Sequence, residues 1–151
     1  MAADLSGNVV VRPDVVAMLT DRNAGAIARP FRSLNIPGTI PAADYDIGNE
    51  GVSYHDAVSM QTQYNGPIWN SGWDYRNDGA DIGASSDPQG FAYDVGWTED
   101  GEWISCAVNV AQTTAYQIEA RVASAVDGGR LRVYLDGVPM GADLNVPNTG
   151  G

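Results

Sequence analysis

Four Asp-Gly pairs punctuate this chain, at Asp78-Gly79, Asp100-Gly101, Asp127-Gly128 and Asp136-Gly137. Asp-Gly takes up the positive-φ geometry of tight turns with little strain, so each pair marks a reversal. Between the reversals the residues alternate. Ile104, Cys106, Val108 and Val110 fall on one side of a period-two segment, with Trp103, Ser105, Ala107 and Asn109 on the other. In Ala115–Ala123 the residues Tyr116, Ile118, Ala120 and Val122 face one way; Leu131, Val133 and Leu135 then face inward on a returning hairpin. Leu144 and Val146 begin one more strand. Period-two alternation reads as strand with one face in a core. Short strands spaced by Gly- and Asp-rich turns predict an all-β fold, a β-sandwich of jelly-roll type. The 18 glycines and 8 prolines agree with that and disfavour a helical bundle.

At 151 residues there is one domain, or one domain and a tail, with length enough for a sizeable core. The formal charge of −11 argues against nucleic acid, which requires a basic footprint, and against an anionic membrane surface. It fits a secreted protein with a neutral ligand. The single cysteine, Cys106, lies in the apolar alternation and reads as a small buried hydrophobe. The single histidine, His55, has no recognisable link to it and reads as an exposed strand residue. No apolar run is long enough to span a membrane, and MAADLSGNVV lacks the regions of a signal peptide. The expectation is an internal piece of a longer exported chain.

Residues 1–34 differ from the rest. Asn8–Val11 is strand-like, Pro13 suits the first turn of a short helix, and Arg29–Leu34 reads as linker. This stretch is expected to be the tail of a preceding domain, with the β module occupying 35–151; the alternative is an authentic capping helix on the β domain. Pro37 and Pro41 restrict its opening segment to an edge strand or extended entry. Val52–Asp56 alternates, with Val52, Tyr54 and Asp56 on one side. Residues 57–77 form a long loop in which Tyr64, Trp69, Trp73 and Tyr75 are interleaved with amides. Long loops in small domains are commonly functional, so this one is a candidate ligand rim; the bland alternative has its tryptophans pinning it to the sandwich.

The densest signal is VGWTEDGEW, residues 95–103, in which Trp97 and Trp103 flank the Glu99-Asp100-Gly101 turn. If Ile104 to Val110 face the core, Trp103 faces outward and Trp97 lies in the preceding loop. An exposed indole usually has a partner. A flat apolar ring with polar neighbours suits a sugar, whose axial C–H groups lie on the ring while its hydroxyls reach nearby amides and carboxylates. The competing reading buries both indoles in the core.

Taken together, IPGTIPAADYD (36–46), GNEGVSYHD (48–56), YRNDGADI (75–82), YDVGWTEDGEW (93–103), RVAS (121–124), GGRLRVYLDG (128–137) and VPNTGG (146–151) resemble a family 6 carbohydrate-binding module. The resemblance implies a non-catalytic β-sandwich attached to a secreted polysaccharide-degrading enzyme, binding chains of the xylan, β-glucan or agarose class. It implies a sugar site in the loops at one end, with an aromatic matched by Trp97, and a second cleft using positions matched by Trp103 and Ser105. Trp73 and Tyr75 are further candidate contacts from the long loop. The resemblance also implies a second aromatic and an asparagine beyond VPNTGG, so the module is expected to lack its last strands. Members often carry Glu at the positions of Pro41 and Ala43, where it resembles a ligand of structural calcium, and Glu where Gly83 stands. Neither Pro41 nor Ala43 has a side-chain oxygen, and hard cations need oxygen donors. Asp44, Asp46 and Asp81 could supply some, which leaves calcium open and no cofactor assigned.

Two other functions compete. Glycosidases need two carboxylates, and Glu99/Glu102 and Asp78/Asp81 are such pairs, but they lie in turns and strand ends where solvated carboxylates are expected. A structural or adhesion sandwich without glycan binding is the remaining alternative.

Overall fold

In a computed structural model the residues described are 2–3, 9–10, 26–57, 75–76 and 79–151. Among them the chain is all-β, with a 3-10 turn at Ala42–Asp44 and no α-helix. The fold class is that of the expected β-sandwich. The helix expected after Pro13, the long loop with Trp69 and Trp73, and Asp78 lie outside the described residues. The chain divides into two units, Met1–Thr114 and Ala115–Gly151.

In the first unit, β1 (Ala2–Ala3) and β2 (Val9–Val10) pair antiparallel. β3 (Leu34–Ile36) runs parallel to β8 (Val108–Val110), in the register Leu34↔Val108. β4 (Tyr54–His55) lies antiparallel to β7 (Trp103–Ile104), and β5 (Ile82–Ala84) antiparallel to β6 (Tyr93–Val95). The Trp103 segment is thus two short strands with an irregular step between them. The step is not unbonded: Ser105 donates its N–H to the Ser53 carbonyl at 2.8 Å, and the Ser105 carbonyl accepts from Asp46 N–H at 2.8 Å. Both Asp46 carboxylate oxygens accept from Ala107 N–H, at 2.9 and 3.0 Å. One carboxylate therefore holds a backbone donor that a ladder would otherwise satisfy. Two residues of the 29–34 stretch are tied to this unit. Arg29 and Ile47 exchange both backbone hydrogen bonds, and Leu34 is buried.

The core of this unit is Ala43, Tyr45, Tyr54, Ala80 and Ile82, with Tyr75, Tyr93, Val95, Ile104 and Cys106 packed against it. Burying side chains such as Tyr45 or Ile82 contributes about 1.5–3 kcal/mol each. Tyr45 and Tyr54 meet edge-on, with centroids 5.8 Å apart, and Tyr45 Oη accepts from Ala80 N–H at 3.1 Å. A close approach explains the glycine of Asp78-Gly79: a Cβ there would stand 2.1 Å from Tyr54 Cζ. Over this core lies the guanidinium of Arg76, 3.8 Å from the Tyr45 ring centroid and 4.3 Å from that of Phe31. It donates to the Tyr45 carbonyl and, at 3.4 Å, to that of Asp46. Cation–π contacts are worth about 0.5–2 kcal/mol, depending on how far water is excluded. Cys106 is half-buried; burial, with Asp46 nearby, pushes its thiol up to about 11. At neutral pH it is a thiol, in keeping with the small-hydrophobe reading and not with a nucleophile.

The second unit holds β9 (Gly129–Leu131) antiparallel to β12 (Leu144–Val146), and the hairpin of β10 (Tyr134–Leu135) and β11 (Val138–Pro139). The hairpin closes through Asp136 and Gly137, at φ 49° and 79°, the double positive-φ turn expected of Asp-Gly. Two expectations fail here. Residues 115–123 form no strand, and Ile118 is exposed. Leu131 and Leu135 do not face inward on one hairpin with that segment; both are exposed, because β9 takes β12 as its neighbour. Alternation defines a face but names no partner, and a strand exists only where its backbone groups are paired. The VPNTGG end is stitched to 124–127 instead. Thr149 N–H donates to the Ser124 carbonyl at 2.8 Å, and Asn148 N–H to Asp127 Oδ1 at 3.0 Å.

Candidate functional site

Two indoles of the first unit face solvent. Trp97 is 58% exposed and Trp103 42%. They arise differently. Trp103 sits on β7 opposite His55 of β4, on the outward side that alternation assigns it. Trp97 follows β6 in a loop anchored by Gly96 N–H donating to the Asp81 carbonyl at 3.1 Å. Its φ is 51°, in the left-handed region that bulky residues rarely enter. Such a conformation costs about 1–3 kcal/mol and persists only where the surroundings fix it. Here it turns the indole back over Gly83. A Cβ at Gly83 would come 3.2 Å from Trp97 Cη2 and Cζ3.

The β5–β6 pair explains this floor. Ile82, Tyr93 and Val95 point into the core, and Gly83 and Asp94, ladder partners, occupy the other face. Gly83 is nonetheless buried, with the indole against it. One indole face thus rests near a bare glycine while much of the ring remains open. Asp94 is exposed, and its Oδ1 lies 3.6 Å from the same Cβ position. Sequence reading missed Asp94. Its signal was parity, since it alternates with the inward Tyr93 and Val95, but its neighbour across the ladder is set by nonlocal pairing.

The other candidates are placed less uniformly. Ser105 is half-buried and its hydroxyl donates to the Ser53 carbonyl at 3.1 Å, so it is occupied in joining the β7 run to β4. Tyr75 stacks on Tyr93 with centroids 4.6 Å apart, meets Phe31 edge-on, and donates its hydroxyl to Asp44 Oδ1 at 2.8 Å. Burial and that bond raise its pKa. Trp73 lies outside the described residues. His55 is half-exposed and hydrogen-bonded to Glu50, which raises its pKa. Glu102 uses one carboxylate oxygen for Ala57 N–H, at 3.0 Å, and the other for Glu99 N–H, at 2.9 Å. A carboxylate committed to two backbone donors is a turn-locking group, not a free acid or base.

Two of the acids that could supply calcium with oxygens are already engaged. Asp44 accepts from Tyr75 and faces Arg32 Nε at 3.5 Å, and Asp46 is committed to Ala107. No group of three or more His, Cys, Asp or Glu suited to a metal occurs among the described residues.

Solvent-facing indoles on an all-β chain suit the class of binding modules. The comparison with protein families makes this specific: residues 73–151, just over half of the chain, match the model of the carbohydrate binding module, family 6. The chain belongs to this family, and carbohydrate binding, with polysaccharide as partner, follows from membership. The segments from YRNDGADI onward lie within the match; those at 36–46 and 48–56 lie before it.

Proposed function

We propose that the module binds its polysaccharide by stacking sugar rings on the open face of Trp97, with Trp103 as a second, separate platform. The observation that carries this is the Trp97 conformation: a bulky residue held at φ 51° with its ring over Gly83 and 58% exposed. Strain retained at an exposed aromatic is hard to explain by stability and natural for a pre-formed ligand platform. Chains of the xylan, β-glucan or agarose class are the proposed ligands, and the alternation of apolar ring faces with hydroxyls makes stacking on indole favourable for all three.

We infer further that the module serves a covalently attached polysaccharide-degrading enzyme, a glycoside hydrolase or polysaccharide lyase, in a secreted protein. On this reading residues 1–34 connect the module to a preceding domain. Support comes from the change of sequence character along 1–34 and from the strongly acidic composition.

Affinity electrophoresis in gels containing xylan, β-1,3-glucan, cellulose derivatives and agarose tests the site. The native chain is expected to be retarded by at least one of them, and Trp97→Ala to migrate as in the plain gel. Retardation unchanged in Trp97→Ala would move the site to Trp103 or elsewhere, and no retardation of a folded native chain would favour a structural role.

A further inference from the structure

We propose that Asp94 is the specificity-determining residue beside Trp97, selecting neutral, hydroxyl-rich glycans and rejecting chains that carry uronic acids. The inference rests on the reading of Trp97 as the stacking platform and goes beyond it to the class of sugar.

The argument begins with the ladder. Gly83 of β5 and Asp94 of β6 are directly opposed and share the face turned away from the core. With no side chain at Gly83, the space above it is filled from two directions. The six-membered edge of the Trp97 indole enters from the loop, 3.2 Å from where a Cβ would be, and Asp94 Oδ1 enters from the neighbouring strand at 3.6 Å. Both groups lie within 4 Å of one point, so the carboxylate oxygen and the ring edge border the same space above Gly83. Gly96, the residue before Trp97, also leaves room on that side, since a Cβ there would meet Asp94 Oδ1 at 3.8 Å and, its chain neighbours apart, no other atom of the described residues within 4 Å.

The chemistry of that rim follows. A sugar stacked on the indole projects its equatorial hydroxyls past the ring edge. A carboxylate there accepts from hydroxyl donors, and charge-assisted bonds of this kind are roughly twice as strong as neutral ones. The carboxylate of Asp94 makes no hydrogen bond or ion pair with a described residue, so it is available to accept. Indole stacking alone cannot distinguish a pyranose from its uronate, because both present the same C–H face. The carboxylate can, because a uronate brings a second negative charge to the same rim. The surroundings reinforce this. Residues 94–102 hold Asp94, Glu99, Asp100 and Glu102 and no basic residue, in a chain of formal charge −11. Like charges gathered against one ligand class act as a repulsive selector.

The test uses the full chain and four proteins: native, Trp97→Ala, Asp94→Asn and Asp94→Glu. Affinities are measured for the neutral glycan that binds best and for polygalacturonate at the same ionic strength. Native protein is expected to prefer the neutral glycan. Asp94→Asn is expected to weaken that binding roughly tenfold, the usual cost of losing a charged hydrogen bond, and to narrow the gap to polygalacturonate. Asp94→Glu is expected to keep the preference. Native preference for polygalacturonate would overturn the inference, as would unchanged selectivity in Asp94→Asn while Trp97→Ala abolishes binding. Equal losses in Asp94→Asn and Asp94→Glu would overturn it too, by assigning the effect to folding. If Trp97→Ala binds as the native chain does, the stacking reading itself fails, and the inference falls with it.

Discussion

The two units carry the same kind of sequence signal and use it differently. Around Tyr45, Tyr54 and Ile82 the apolar side chains are enclosed, Asp46 is bonded to backbone, and an arginine closes the layer. In 115–151 the alternating apolar residues are open: Ile118, Leu131, Leu135 and Leu144 all face solvent. Alternation is therefore necessary for a buried strand but does not bury it. What differs is bonding between segments distant in sequence. Asp46, Ser53 and Arg76 of the first unit each tie distant backbone together. The second unit is held mostly by its own turns and by the stitching of 148–151 to 124–127.

The sharpest way to break this comparison is to truncate one apolar side chain in each unit. Tyr45→Ala removes a fully buried ring, its edge contact with Tyr54, the platform of Arg76 and the acceptor of Ala80 N–H. Large aromatic truncations in cores cost about 3–5 kcal/mol, and a loss near the upper end is expected. Leu144→Ala, at a residue 42% exposed, should cost less than about 1 kcal/mol. Denaturant melts followed by intrinsic fluorescence measure both. Similar losses would show that the second unit is enclosed in solution and erase the distinction.

The pattern of what could be read from the sequence follows the same division. The Asp136-Gly137 hairpin was legible because a two-residue turn is local, and so was the outward position of Trp103, because parity is local. Trp97 in a loop followed from the glycine before it and the turn after it. The parallel pairing of β3 with β8 was not legible, since it joins Leu34 to Val108 with nothing in either segment naming the other. Arg76 was missed for a related reason. An arginine reads as surface, and only the convergence of Phe31, Tyr45 and two carbonyls makes an interior place for it. The alternation of 115–123 supplies a face without a neighbour, and no strand forms there. Gly83 read as a departure from the family pattern; only the ladder reveals Asp94 across from it and Trp97 above it.

A smaller effect tests whether the first unit is as well satisfied as it is enclosed. Ser53 is fully buried and its Oγ has no hydrogen-bond partner among the described residues, although its carbonyl accepts from Ser105. The hydroxyl stands in the space left by Gly48, where a Cβ would fall 1.9 Å from it. A buried hydroxyl without a partner costs about 1–3 kcal/mol of desolvation. Ser53→Ala removes the hydroxyl and keeps the Cβ, so a gain of about 1 kcal/mol is expected as a higher denaturation midpoint. A loss instead would mean that the hydroxyl is bonded in solution.

The smallest expected effect lies at the edge of the same ladder, where His55 faces Trp103. The hydrogen bond that His55 Nδ1 donates to Glu50 raises the His55 pKa, with Glu102 and Asp56 adding attraction for the imidazolium. A folded-state pKa raised above the unfolded value of 6.5 means that the folded chain holds this proton more tightly. Its contribution is therefore complete below 6.5 and fades as pH rises through the folded value. Because the pair is at the surface, salt and solvent keep the effect small. Thermal melts of the native chain and of His55→Gln across this range isolate it. The native midpoint should exceed that of the variant on the acid side, and the two should converge as pH rises. The Glu50 carboxylate keeps its bond to Asp56 N–H in both proteins, so convergence reports the imidazolium and not the loss of the turn. Parallel curves would mean that the pair adds nothing to the β4–β7 edge, and that Trp103 is positioned by backbone pairing alone.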